Sequence, residues 1–200
     1  MHNQNWKHIM KIGNTLFLVI ALLFLAGCKT SPTQETDTGL PSPPSGFSWH
    51  ESINGAGSFL KPDGWFVKEE SKGSTNAVFI SKESIENNGR FLTGMSVNQL
   101  NYWSKSKKTK PSKYAEVFAT KIATTGKVLK RTVVKGNQDN MYVVRVLGDN
   151  KGTPTITHHL AIGMDSKDQV YLISYESPES EWKANYNYAR EMLNFFFLGS

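Results

Sequence analysis

The sequence predicts an α+β domain built as a central antiparallel sheet covered by helices on both faces, an α/β/α sandwich. Three observations predict it. Short segments rich in β-branched and aromatic residues recur between positions 76 and 175. The later ones are joined by brief, turn-rich links, GDNKG at 148–152 and MDSKD at 164–168. Such links favour an antiparallel meander, because parallel strands need long crossovers. Finally, two segments carry apolar residues at helical spacing and can supply the cover.

The elements follow in order. NAVFIS (76–81) and GMSVNQL (94–100) read as early strands bounded by polar and glycine-rich stretches. A helix should open at Lys110-Pro111-Ser112 and carry Tyr114, Val117, Phe118, Lys121 and Ile122, with Gly126 as its stop. Strands are then expected at 128–135, 141–147, 155–162 and 170–175. MYVVRVL and VYLISY are apolar on both faces, which central strands covered on both sides require. The closing helix should start at Ser177-Pro178, with the serine as cap and the proline in the first turn. Glu179 and Glu181 suit the positive end of its dipole. Trp182, Tyr186, Ala189, Leu193 and Phe196 step by four, three, four and three, which reads as a core-facing stripe.

Residues 47–200 are the length of one ordinary domain, and no internal repeat or second linker divides them. Ahead of them, residues 28–46 read as a tether. This stretch holds Pro32, Pro41, Pro43 and Pro44 and one large apolar residue, Leu40. It cannot bury enough apolar surface to offset its ordering entropy.

Residues 1–27 read as an export signal. Lys7 and Lys11 precede an unbroken apolar run from Leu16 to Leu25, with no acidic residue among them. That run is too short to span a bilayer, which takes about 20 apolar residues. Leu25-Ala26-Gly27-Cys28 follows, with the chain's only cysteine. This stretch resembles the lipobox of bacterial lipoproteins. The resemblance implies cleavage between Gly27 and Cys28, acylation of Cys28 (palmitate among the chains), and a membrane anchor that does not span. Lys29 in place of aspartate leans toward the outer membrane. The protein would face the periplasm. A lone cysteine allows no internal disulfide.

The net charge is +6, and loss of the signal's two lysines leaves +4. That is too mild to suggest nucleic acid. No catalytic set is visible: neither a G-x-S-x-G elbow nor an H-E-x-x-H helix is present. His158 and His159 are adjacent in an expected strand, so they point to opposite faces and cannot readily share a metal. One buried and one exposed imidazole is the expectation there. His50 stands apart near the tether. No metal and no cofactor is expected. Gly55-Ala56-Gly57-Ser58 lacks the lysine of a phosphate loop and reads as a flexible entry into the first strand.

One surface feature stands out. Trp103 leads a run with Lys105, Lys107, Lys108 and Lys110, and Lys113 follows. These five lysines form a candidate patch for an anionic partner on a loop between strand and helix.

Phe59-x-x-Pro62-x-Gly64-Trp65, with Val170–Tyr175, Trp182 and the closing stretch to Phe196, resembles PsbP-like proteins. The similarity covers about residues 56–197 and is nearest to DcrB-like bacterial lipoproteins. That group includes a photosystem subunit and a Ran-binding protein and acts mostly through binding, with no shared catalytic residues. The resemblance implies a non-enzymatic accessory protein of the cell envelope with a protein partner. The alternative is a carrier of a small hydrophobic or anionic ligand between sheet and helix.

Overall fold

The computed structural model describes residues 39–85, 91–136 and 139–199. Cys28, Gly27, the export signal and the tether up to residue 38 lie outside the described residues. The chain divides into two units, 1–41 and 42–200, and the second holds the sheets and helices of the described residues. Among the described residues, no helix is long and apolar enough to cross a membrane.

Among the described residues, ten strands form two antiparallel sheets. The small one holds β1 (Phe47–Glu51), β2 (Gly57–Pro62) and β10 (Phe196–Leu198), with β2 in the middle. The large one holds β3 (Phe66–Lys72), β4 (Thr75–Ser81), β5 (Gly94–Asn101), β6 (Lys127–Lys135), β7 (Asn140–Asn150), β8 (Thr153–Met164) and β9 (Gln169–Pro178). Its spatial order is β3-β4-β5-β9-β8-β7-β6. Two meanders therefore meet where β5 pairs with β9. Between β5 and β6 lie the helices α1 (Trp103–Lys107) and α2 (Pro111–Ile122), which carry the chain from the sheet's middle to its far edge. Helix α3 (Glu179–Asn194) follows β9.

The expected strands are all present, and β7, β8 and β9 run longer than the apolar segments suggested. Alternation explains how one strand serves two clusters. Val143 of β7 belongs to the main core with Leu160, Tyr171, Ile173 and Tyr175 and with Ala189, Met192 and Leu193 of α3. Its neighbours Val144 and Val146 pack instead with Ala119 of α2. Each fully buried aliphatic side chain such as Ile173 contributes roughly 1.5–3 kcal/mol. In β9, Val170 and Tyr171 are both fully buried, so this strand is covered on both sides. Burial pushes the Tyr171 hydroxyl up to about 12; it accepts from Gln99 and donates to the Gly199 carbonyl, which ties down the chain's end.

The strand expected at 128–135 forms as β6, one residue longer, but is exposed throughout, because β6 is the sheet's edge. Four basic residues and a register shift between Val128 and Lys130 blunt that edge against further pairing.

Four expectations need correction. Ser177 is not a helix cap. β9 runs on through Pro178, and the buried Ser177 hydroxyl accepts from Asn185 Nδ2 at 3.0 Å; Pro178 itself stands at the N-cap. The α3 stripe is rotated: Asn185, Ala189, Met192 and Leu193 are buried, while Tyr186 is exposed and Trp182 half-buried. Phe196 has left the helix and pairs with Phe59 in the small sheet. Residues 55–58 are not a flexible entry. They turn β1 into β2, Ala56 is fully buried, and a Cβ on Gly57 would meet the Phe197 carbonyl oxygen at 2.2 Å.

Candidate functional site

The lysine-rich run is a built surface. β5 ends at Asn101, and the left-handed backbone of Tyr102 (φ 54°) turns the chain into α1; Lys108 (φ 53°) ends that helix the same way. Neither α1 nor α2 has a side-chain cap of its own at its N-terminus. One turn elsewhere supplies both. Asp168 accepts from the Ser104 N–H at 2.7 Å. Asp165 accepts from the Ser112 N–H and hydroxyl, both at 2.8 Å. A carboxylate at a helix N-terminus satisfies orphan donors and complements the dipole. Trp103 is half-buried and stacks on Tyr114 with ring centres 4.1 Å apart, locking α1 to α2.

Lys105, Lys107, Lys108, Lys110 and Lys113 are all exposed. The structure gathers them around the α1–α2 junction. Lys105 leans over the Tyr102 ring at 5.3 Å and Lys107 over Trp103 at 6.0 Å. Lys113 differs. It forms a 2.8 Å ion pair with Glu116, which raises its pKa and neutralises part of its charge. The segment 103–107, expected as loop, is helix because Asp168 caps it, and that aspartate lies 64 residues away from Ser104.

The adjacent histidines do face opposite ways. His158 Nδ1 accepts from Arg145 Nε at 3.1 Å and Nη2 at 2.9 Å. His159 meets the Phe118 ring of α2. The expectation of one exposed imidazole fails, since both rings are desolvated. Burial, with Arg145 beside it, pushes His158 down to about 3; burial pushes His159 down to about 4. Both are neutral at ordinary pH. His50 is engaged elsewhere: its Nε2 lies 2.7 Å from Glu69. Burial alone would raise Glu69, but hydrogen bonds from His50, the Ile53 N–H, Ser52 and the Asn54 N–H outweigh it and lower its pKa.

Arg145 is not among the residues that the sequence singles out, although a lone charge inside MYVVRVL marks it. Its guanidinium lies 5.1 Å from the ring centres of both Trp182 and Tyr186. These contacts, with the bonds to His158, let β7 hold a cation beside α3.

A separate polar cavity of about 300 Å3 opens where the ends of β7 and β8 meet the α2–β6 connection. Thr125, Asp149, Thr157, His159 and Glu176 are among its lining residues. Burial, helped by the nearby Glu83 charge, pushes Glu176 up to about 6. Among the described residues, no group of three or more His, Cys, Asp or Glu side chains could hold a metal ion.

No family model matches the chain, and no curated protein matches it by sequence. Solved structures do match. The Ran-binding protein Mog1p of Saccharomyces cerevisiae is 16% identical, with 76% of this chain and 95% of that one covered and a TM-score of 0.46. Cyanobacterial PsbP (CyanoP) of Synechocystis sp. PCC 6803 is 13% identical, with 80% and 99% covered and a TM-score of 0.47. LpqN of Mycobacterium tuberculosis, involved in cell envelope biogenesis, is 7% identical, with 80% and 82% covered and a TM-score of 0.42. A Bacteroides thetaiotaomicron protein matches at 13% identity and a TM-score of 0.46, with 78% of this chain covered; the chain spans about half of that protein's length (49%). These are likenesses of outline, and no partner or activity is carried over from them.

Proposed function

We propose that this protein is a lipid-anchored accessory protein of the bacterial cell envelope, non-enzymatic, that docks an acidic face of a protein partner on its lysine-rich surface. Cys28 would carry the lipid, with the domain facing the periplasm and the outer membrane favoured. In this reading the two hydrophobic clusters are the two faces of an α/β/α sandwich of PsbP-like type, nearest to DcrB-like lipoproteins.

The observation that carries the docking reading is the double cap from one turn. Asp165 and Asp168 fix both helices that bear Lys105, Lys107, Lys108 and Lys110. The caps satisfy the helices' own orphan donors and, in doing so, hold the lysines in fixed positions. Presented on fixed helices, the charges act together on one partner surface, and their attraction is screened over about 8 Å at physiological salt.

The test places a photo-crosslinking residue at Ser106 in the full chain in cells. A discrete protein adduct should form, and it should fade when Lys105, Lys107, Lys108 and Lys110 are all changed to glutamine. An adduct that survives this change, or crosslinks to lipid alone, would overturn the docking reading. Fatty-acid labelling of wild type against Cys28→Ser tests the anchor separately, and equal labelling would sink it.

A further inference from the structure

We propose that the polar cavity at the β7–β8 end of the sheet binds the ammonium group of a small organic cation, with Glu176 as its counter-ion. This is independent of the lysine-rich surface. That surface begins α2, whereas Thr125 of the cavity lies just beyond the helix's other end. A 12-residue helix, about 18 Å long, separates the two.

The cavity is assembled from four places in the chain, of which β7 contributes Asp149. β9 contributes Glu176, which pairs in register with Thr157 of β8. The next residue of β8 on that face is His159, opposite Ser174. The connection after α2 contributes Thr125 and closes one side. Gly126 must stay small there, since a Cβ would meet the Leu147 carbonyl oxygen at 2.3 Å. Backbone packing thus fixes how closely the connection after α2 approaches β7 beside the cavity.

The lining atoms define the ligand's chemistry. Among the described residues, the Glu176 carboxylate has no hydrogen-bond or ion-pair partner, and nor does the His159 imidazole or the Thr157 hydroxyl. Asp149 accepts one bond, from the Gly152 N–H at 2.8 Å. Glu176, His159 and Thr157 are half-buried and still reach solvent, so the cleft presents them, free of protein partners, to a polar occupant. No lysine or arginine lines the cavity. Glu83 adds a second negative charge near Glu176. The field therefore favours a cation and rejects an anion, which argues against an anionic cargo here. A metal is disfavoured by the lack of a ligand cluster among the described residues. A neutral imidazole, threonine hydroxyls and a carboxylate suit an ammonium group, which offers three donors and no acceptor. The volume sits at the lower bound of small-ligand pockets, which run roughly 300–1,000 Å3.

The test uses the full chain in detergent micelles and follows the His159 ring signals by NMR. Ethylammonium and glucosamine are the cationic probes; glucose and glucuronate are neutral and anionic probes of similar size to glucosamine. The cationic probes should shift His159 saturably, and glucose and glucuronate should not. Glu176→Gln should weaken that binding by about tenfold or more, the usual cost of removing a charged hydrogen-bond partner. Thr157→Val, a second variant of similar shape, should weaken it less. Binding to wild type should also fade as the pH drops below 6, where Glu176 takes up its proton. Indifference to the probe's charge, no saturable shift with either cation, or unchanged affinity in Glu176→Gln with its fold intact would overturn the proposal and leave a water-filled cleft.

Discussion

Gly163 of β8 lies directly beneath Pro111, the first residue of α2: a Cβ on Gly163 would sit 2.2 Å from the Pro111 carbonyl oxygen. The helix start is therefore pressed onto the sheet at a point where only hydrogen fits. Two residues later, Asp165 reaches back to cap Ser112. Close approach and cap together set where the lysine-rich surface begins.

Gly163→Ala should lift the start of α2 and cost about 2–3 kcal/mol, in the range of core overpacking. The atoms in the way are backbone, so they cannot rotate aside. Hydrogen exchange should quicken at the start of α2 before it does in β9. An unchanged denaturation midpoint would show that the helix can slide without loss.

Asp165→Ala should cost about 1 kcal/mol, the typical worth of an N-cap. Asp168→Ala should cost less in global stability, yet it should fray α1, a helix of five residues held from outside. The readout is exchange at the Ser104 N–H. Protection there that survives Asp168→Ala would mean that Trp103 stacking alone holds α1, and Asp168 would lose its role in fixing the lysines.

The sequence made the sheet legible because its strands are apolar runs separated by turn residues. β8 and β9 stand out in the sequence for that reason. β3, FVKEESK, gives no such signal because its pattern is mostly polar, and it forms an edge by pairing with β4. β10 is masked in the sequence because Phe196 continues the helical spacing of α3, while Phe195 already has extended backbone and the next three residues pair with β2. The lysines of the candidate surface were visible as a run. Their scaffold was not, since Asp165 and Asp168 act across more than 50 residues and no local pattern carries such a cap. Glu176 was hidden too, because one acid in an apolar strand does not reveal the cavity that it faces.

Trp182→Ala should cost about 2–3 kcal/mol, below the 3–5 typical of a fully buried aromatic. The ring is half-buried, with an edge contact to Tyr175 at 6.0 Å on one side and Arg145 at 5.1 Å on the other. A double-mutant cycle with Arg145→Ala should show coupling of about 0.5–1 kcal/mol, the range for an exposed cation–π pair. Zero coupling would mean that Arg145 is held by His158 alone.

The pH dependence of stability pits two histidines against one glutamate. His158 and His159 have folded values of about 3 and 4, against an ordinary 6.5. Above 6.5 both are neutral whether folded or not, and they contribute nothing. As the pH falls below 6.5 the unfolded chain takes up protons that the folded one refuses. Stability then falls by up to about 1.4 kcal/mol per pH unit for each histidine. Glu176 works in the opposite sense. Its folded value is about 6 against an ordinary 4.5, so the unfolded chain releases its proton first as the pH rises. Stability drops between 4.5 and 6, and the accumulated cost at neutral pH is about 2 kcal/mol. Two histidines outweigh one glutamate, so wild type should lose stability between pH 6 and 4.5 at about the rate of a single histidine. Glu176→Gln removes the opposing term. This variant should gain about 1–2 kcal/mol at pH 7 and lose stability about twice as steeply on acidification. Urea midpoints at half-unit steps from pH 7 to 4 would measure both effects. Superimposable profiles for the two proteins would show that Glu176 is solvated, and its raised pKa would no longer support a cation site.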